Sequence, residues 1–114
     1  LHMPYSTENH HLIGAKEIAL MKPTAILINA ARGGIVDELA LIDALKSKRI
    51  AAAGIDVFEN EPKVRPSFFA LDNVVLLPHI GSATSGTRRK MADLAAENLV
   101  VGLTTGKPPN LVNG

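Results

Sequence analysis

Three short, mainly apolar runs constrain this chain more than any other feature. Ala25-Ile26-Leu27-Ile28 follows Lys22-Pro23, the run Ala51-Ala52-Ala53-Gly54-Ile55-Asp56-Val57-Phe58 starts with small residues, and Val74-Val75-Leu76-Leu77 is stopped by Pro78. A strand with one wet face alternates polar and apolar residues. Runs without that alternation predict strands buried on both faces, the habit of parallel sheets. Between and around the runs the period is helical. Gly14 precedes a short helix, Ala15 to Met21, and Asp37 stands as N-cap before Leu41, Ile42 and Leu45. From Thr84 to Leu103 a longer helix carries Met91, Leu94, Ala95, Leu99 and Leu103 on one stripe, and Gly106 with Pro108-Pro109 ends it. A polar, proline-bearing loop runs from Glu59 to Asp72. The order helix, strand, helix, strand, strand, helix with short connections predicts part of a doubly wound α/β sheet. Met21, Met91 and the leucines are its core candidates.

Composition narrows the function classes. The chain has 114 residues and no cysteine, which leaves room for one small domain without disulfide, thiolate nucleophile or cysteine zinc site. Twelve Lys and Arg against eleven Asp and Glu give a net charge of +1, poor material for capturing nucleic acid. Lys46-Ser47-Lys48-Arg49 and Arg88-Arg89-Lys90 read as a helix C-terminus that favours cations and a solvated helical face. No apolar run approaches the ~20 residues that cross a bilayer, so neither membrane nor nucleic acid is an expected partner and a cytoplasmic setting fits. His2, His10 and His11 could suggest a metal site, but two are adjacent and no carboxylate spacing completes the set, so no metal is expected. The opening Leu1-His2-Met3-Pro4 reads as the end of a strand entered in mid-course, and the expectation is a piece of a longer protein.

In an open parallel sheet ligands bind beyond the carboxyl ends of the strands. Arg32 follows the first run inside Asn29-Ala30-Ala31-Arg32-Gly33-Gly34, Glu61 follows the second before Pro62, and His79 follows the third between Pro78 and Ile80-Gly81. If the strands are parallel neighbours, an arginine, a carboxylate and an imidazole share one edge. Arginine offers a planar fork for a carboxylate and can polarise an adjacent carbonyl. Histidine can give or take a proton near neutral pH, and a carboxylate beside it favours the imidazolium and fixes its tautomer. Together they suit the reduction of a 2-oxo acid, given a hydride donor opposite. Each also has a plainer reading: Arg32 paired with Asp37 or Glu38, Glu61 a solvated loop charge, His79 a hydrogen-bonded turn residue.

The stretches Leu27-Ile28-Asn29-Ala30-Ala31-Arg32-Gly33-Gly34-Ile35-Val36-Asp37-Glu38, Ala53-Gly54-Ile55-Asp56-Val57-Phe58-Glu59-Asn60-Glu61-Pro62 and Leu77-Pro78-His79-Ile80-Gly81-Ser82-Ala83-Thr84 resemble the D-2-hydroxyacid dehydrogenase family. The resemblance covers nearly the whole chain and is nearest the glyoxylate/hydroxypyruvate and 2-ketogluconate reductase branch. It implies a C-terminal part of a Rossmann-type NAD(P)-binding domain and reduction of a small 2-oxo acid to a D-2-hydroxy acid. By position it implies that Arg32 binds the substrate carboxylate and carbonyl, that His79 is the acid/base, and that Glu61 keeps His79 protonated. It further implies cofactor contacts at Asp56, Ala30, Ala31, Gly81, Arg32 and His79 beside the nicotinamide, and at His2 and Pro4 beside the adenosine half. Small residues at Ala30, Ala31 and Gly81 would let backbone approach a flat ring closely.

The departure from that family is a Gly-x-Gly-x-x-Gly turn, absent here, with the residue that would choose NAD or NADP. The implied organisation is residues 1–83 as the last part of a dinucleotide-binding domain and residues 84–114 as a helix and tail that pack on a substrate domain. On this view the isolated chain is inactive, and the full-length protein is a homodimer by analogy. Two other readings remain open. One is an NAD-sensing corepressor-type binding protein, which can keep the same three residues; the other is a small self-contained flavodoxin-like domain.

Overall fold

The computed structural model describes residues 1–113, which fall into two compact units, Leu1–Gly81 and a second that starts at Ser82. In the first unit the helical and extended periods resolve into α1 (Ala15–Leu20), β1 (Ile26–Asn29), α2 (Glu38–Lys46), β2 (Ala52–Ile55) and β3 (Val74–Leu76). A short 3-10 turn at Thr7–Asn9 precedes α1, and two more lie between elements, at Gly33–Ile35 and Pro66–Ala70. The three strands form one sheet in the order β1-β2-β3, and both pairings are parallel. The register puts Asn29 opposite Ile55 and Ile55 opposite Leu76, so all three carboxyl ends lie along one edge. The α/β reading and the parallel topology therefore hold, with element ends shifted by one to three residues, most at β2, which stops at Ile55 and not Phe58.

Local chemistry explains the elements. Asp37 caps α2 as expected, its carboxylate accepting from the amides of Leu39 at 3.0 Å and Ala40 at 3.1 Å. Leu41, Ile42 and Leu45 of α2 are buried against Leu27, Ala53 and Ile55 of the sheet and Ile18 of α1. Phe68 and Ile50, both fully buried, complete that core.

The other sheet face corrects one expectation. Ile26 is 64% exposed and Ile28 60%, while Leu27 and Asn29 between them are buried, and Val75 of β3 is 62% exposed. The apolar runs predict strands buried on both faces. Within Leu1–Gly81, however, the core helices pack on the face that carries Leu27, Ala53 and Ile55, and the opposite face stays open.

In the second unit, α3 (Ser85–Thr105) is capped by Thr84, whose hydroxyl accepts from the Thr87 amide at 3.2 Å. It ends at Gly106, whose φ of 77° is left-handed as C-terminal glycines favour. The tail returns to the helix through Asn98 and Asn110, which exchange two hydrogen bonds of 2.9 Å. The expected apolar stripe is present but belongs to no core. Met91 (52%), Leu94 (49%), Leu99 (63%) and Leu103 (79%) are exposed, because α3 meets only its own tail in this unit. Met91, Leu94, Leu99 and Leu111 line an open groove of about 640 Å³. No helix among the described residues is long and apolar enough to cross a membrane.

Candidate functional site

The parallel register delivers Arg32, Glu61 and His79 to the same edge of the sheet, on the loops after β1, β2 and β3. The first loop is shaped by Asn29, almost wholly buried at the end of β1. Its amide accepts from the Ala31 N–H at 3.2 Å and donates to the Arg32 carbonyl at 3.0 Å, turning the chain immediately after the strand. The Arg32 side chain is exposed and donates from Nη1 to the Ala31 carbonyl at 2.7 Å. Its plainer reading fails: among the described residues Arg32 makes no ion pair, while Asp37 caps α2 and Glu38 pairs with Arg65. The guanidinium keeps most of its donors for a ligand.

Glu61 and His79 form a direct pair. The Glu61 carboxylate accepts from the Phe58 amide at 2.9 Å through Oε1 and meets His79 Nδ1 at 2.8 Å through Oε2. An ionised carboxylate only accepts, so it places the hydrogen of the neutral ring on Nδ1 and leaves Nε2 for proton exchange. Partial burial would raise the Glu61 carboxyl. The His79 and Phe58 hydrogen bonds, with the charges of His79 and Arg32, outweigh it and hold the group below its usual range. His79 lies in the left-handed region, at φ 55°, a strained position for a residue with a side chain. Glu61 is thus held in a specific contact, and His79 is a hydrogen-bonded turn residue whose partner is Glu61.

Asp56, which follows β2, is buried and holds the chain just beyond His79. Its two carboxylate oxygens accept from the Ile80 and Gly81 amides at 2.8 Å each. A side chain at Gly81 would bring its Cβ to 3.0 Å from Asp56 Oδ2, so any larger residue would press on the carboxylate that holds this turn. Ala30 and Gly81 line a hollow of about 330 Å³ on the open sheet face, with Gly54 and Asp56 in the lining and Ile28, Val75, Leu77 and Ile80 around it. Small residues among apolar neighbours with a carboxylate at hand fit one face of a flat, weakly polar ring. Ala31 is buried beside the hollow and not in its lining. His2 is exposed, on the segment whose Leu1 amino group donates to the Ile28 carbonyl at the free edge of β1. Pro4 lines a separate cleft of about 730 Å³ together with Tyr5, His10, Arg32 and Glu59.

Two features escaped the sequence. Gly33 bears the tightest backbone contact: a Cβ there would lie 2.0 Å from the Phe58 carbonyl carbon and 2.2 Å from its oxygen. Bare glycine thus lets the Arg32 loop lie flat on the Glu61 loop. The second is a polar network beneath that loop. Glu38, 4% exposed, accepts from the Glu59 amide at 2.8 Å and from Arg65 Nε at 2.8 Å. Arg65 Nη2 also reaches Glu59 Oε2 at 2.7 Å, and Glu59 Oε1 lies 2.8 Å from His11 Nε2. Burial would raise the Glu59 carboxyl, yet Arg65, the Glu38 amide and His11 together hold it below its usual range. His11, Asp37 and Glu59 bring one ligand atom each within 4.8 Å of one another. That corrects the view that no carboxylate joins the histidines, although neither His2 nor His10 takes part.

The sequence profile of the D-isomer specific 2-hydroxyacid dehydrogenase NAD binding domain matches residues 1–81. The chain belongs to this family. Among curated relatives, the glyoxylate reductase of Thermococcus litoralis is 57% identical over 113 residues, covering 99% of this chain and 34% of that protein. The glyoxylate/hydroxypyruvate reductase B of Enterobacter agglomerans is 54% identical over 112 residues, covering 97% of this chain and 35% of that protein. The NADPH-dependent glyoxylate/hydroxypyruvate reductase of Sinorhizobium meliloti, solved with NADP and malonate, superposes with a TM-score of 0.92 at 40% identity. That match covers 98% of this chain and 35% of that one. The chain thus spans about a third of the length of the dehydrogenases it matches. The Rossmann-type fold that the resemblance implies is the one these dehydrogenases share.

Proposed function

We propose that this chain supplies the catalytic edge of an NAD(P)H-dependent reductase of small 2-oxo acids such as glyoxylate or hydroxypyruvate. The observation that carries the reading is the Glu61–His79 pair at 2.8 Å on the same sheet edge as an arginine that makes no ion pair among the described residues. In the proposed reaction Arg32 takes the substrate carboxylate with its planar fork and polarises the neighbouring carbonyl. The reduced nicotinamide, when bound, supplies the hydride. His79, in its protonated form, hands a proton from Nε2 to the carbonyl oxygen as it becomes a hydroxyl. Glu61 accepts from Nδ1, so the ring does not turn between proton uptake and delivery. The products balance: the carbonyl carbon gains the hydride and its oxygen the proton.

Ala30, Gly81 and Asp56 are the residues proposed to face the nicotinamide, with Arg32 and His79 at its substrate side and Ala31 behind. His2 and Pro4 are assigned to the adenosine half. NAD and NADP are not distinguished by any of these residues. The exposed stripe of α3 is proposed to pack on a substrate domain. The 114 residues alone, which lack a Gly-x-Gly-x-x-Gly turn, are proposed to be inactive. The direct test follows cofactor absorbance while the protein carrying this chain is offered glyoxylate, hydroxypyruvate and 2-ketogluconate with NADH or NADPH. Turnover of at least one acid is expected; none with any pairing contradicts the proposal.

A further inference from the structure

Glu61 sits on a loop whose two ends are tied by groups that touch neither Arg32 nor His79. At its start, the Glu59 amide donates to Glu38 Oε1 at 2.8 Å; at its end, Arg65 Nε donates to Glu38 Oε2 at 2.8 Å. Arg65 Nη2 closes the loop on itself by reaching Glu59 Oε2 at 2.7 Å. Inside this ring the Lys63 amide donates to the Asn60 carbonyl at 2.8 Å, a tight turn that brackets Glu61 and Pro62. Glu38 is the first residue of α2 and 4% exposed, so its carboxylate is anchored to the core. Such a buried carboxylate persists only when its lone pairs are used, and here both oxygens are. Arg65 matters through shape as well as charge, because a planar fork can serve two carboxylates from fixed directions where an ammonium cannot.

We propose that Arg65, held by Glu38, is a positioning residue that shuts the base of the Glu61 loop and thereby sets Glu61 against His79. This inference rests on the reading of Glu61 and His79 as a working pair. It adds a residue that the family's motifs leave outside the site and that lies four positions beyond Glu61.

A double-mutant cycle in the cofactor-bound holoenzyme tests it. Arg65→Met should lower kcat on the order of tenfold with KM nearly unchanged, as expected when a catalytic pair is misplaced by a fraction of an ångström. On a Glu61→Gln background the same substitution should change kcat by less than about twofold, because it acts through Glu61. Equal losses on both backgrounds would make Arg65 a general stabiliser and overturn the proposal. So would an unchanged kcat in Arg65→Met beside a reduced one in Glu61→Gln. If Glu61→Gln itself turns over like the wild type, the reading of the pair fails first and the positioning role falls with it. Should Arg65→Met fail to fold, Arg65→Lys keeps the charge and loses the fork. In that variant, without substrate, the His79 Nδ1 proton should exchange with solvent severalfold faster by NMR, and an unchanged rate would overturn the proposal.

Discussion

At the scale of single residues, the site depends on what each side chain leaves free. Among the described residues Arg32 spends one donor on its neighbour's carbonyl and none on a carboxylate, so its fork is open to an anion. Arg32→Ala is expected to lower kcat/KM by a factor on the order of ten to a hundred, the worth of hydrogen bonds to a charged partner at about 1.5–3 kcal/mol. An unaltered kcat/KM would remove Arg32 from the site. Glu59 and Glu61 both sit below their ordinary value of 4.5 in the folded chain. The unfolded chain therefore takes up these protons first. The stability they contribute is present above about pH 4.5 and is lost as pH falls through the depressed values. Glu59→Gln should unfold less steeply than wild type on acidification below that point, by circular dichroism against pH. Arg32, Glu61 and His79 were legible in the sequence because reaching a strand end needs only topology. Glu38, Glu59, Arg65 and His11 were not, since their pairing depends on how a fourteen-residue loop, Glu59 to Asp72, folds back on α2, and no period records that path.

At the scale of elements, the arrangement rests on loops pressed together at one edge of a parallel sheet. Gly33 is the tightest of these contacts, and no rotamer relieves a Cβ that falls 2.0 Å from a backbone carbon. Gly33→Ala must part the Arg32 loop from Phe58 and should cost at least about 1–3 kcal/mol, as overpacking does. The check is a thermal midpoint lower by roughly 4–8 °C per kcal/mol; an unchanged midpoint would mean the two loops do not meet so closely. The strands and helices themselves were read well from hydrophobic period, Asp37 and Gly106 included. The misreading concerned faces. Ile26, Ile28 and Val75 are apolar and open to solvent, because an apolar run states what a strand would bury and not which face this unit covers. The stripe on α3 misled in the same way: its spacing is that of a buried face, yet Met91, Leu94, Leu99 and Leu103 meet no core in their own unit.

At the scale of the whole molecule, two compact units carry different parts of the account. Leu1–Gly81 holds the sheet edge with Arg32, Glu61 and His79, and the unit that starts at Ser82 holds the long helix with its open apolar groove. The family match lies over the first unit, and about two thirds of the curated relatives' own length lies outside what this chain spans. The purified 114-residue chain is accordingly expected to show no oxidation of NADH or NADPH with glyoxylate, and measurable turnover would contradict the need for the rest of the relatives' length. In the proposed reaction His79 gives the proton that completes the reduction. The most direct measurement is kcat and KM of His79→Gln in the protein carrying this chain, with glyoxylate or hydroxypyruvate as substrate. A fall in kcat of about 10²–10⁴-fold with KM little changed is predicted, the usual worth of a general acid. A kcat like that of the wild type, or a loss confined to KM, would contradict it.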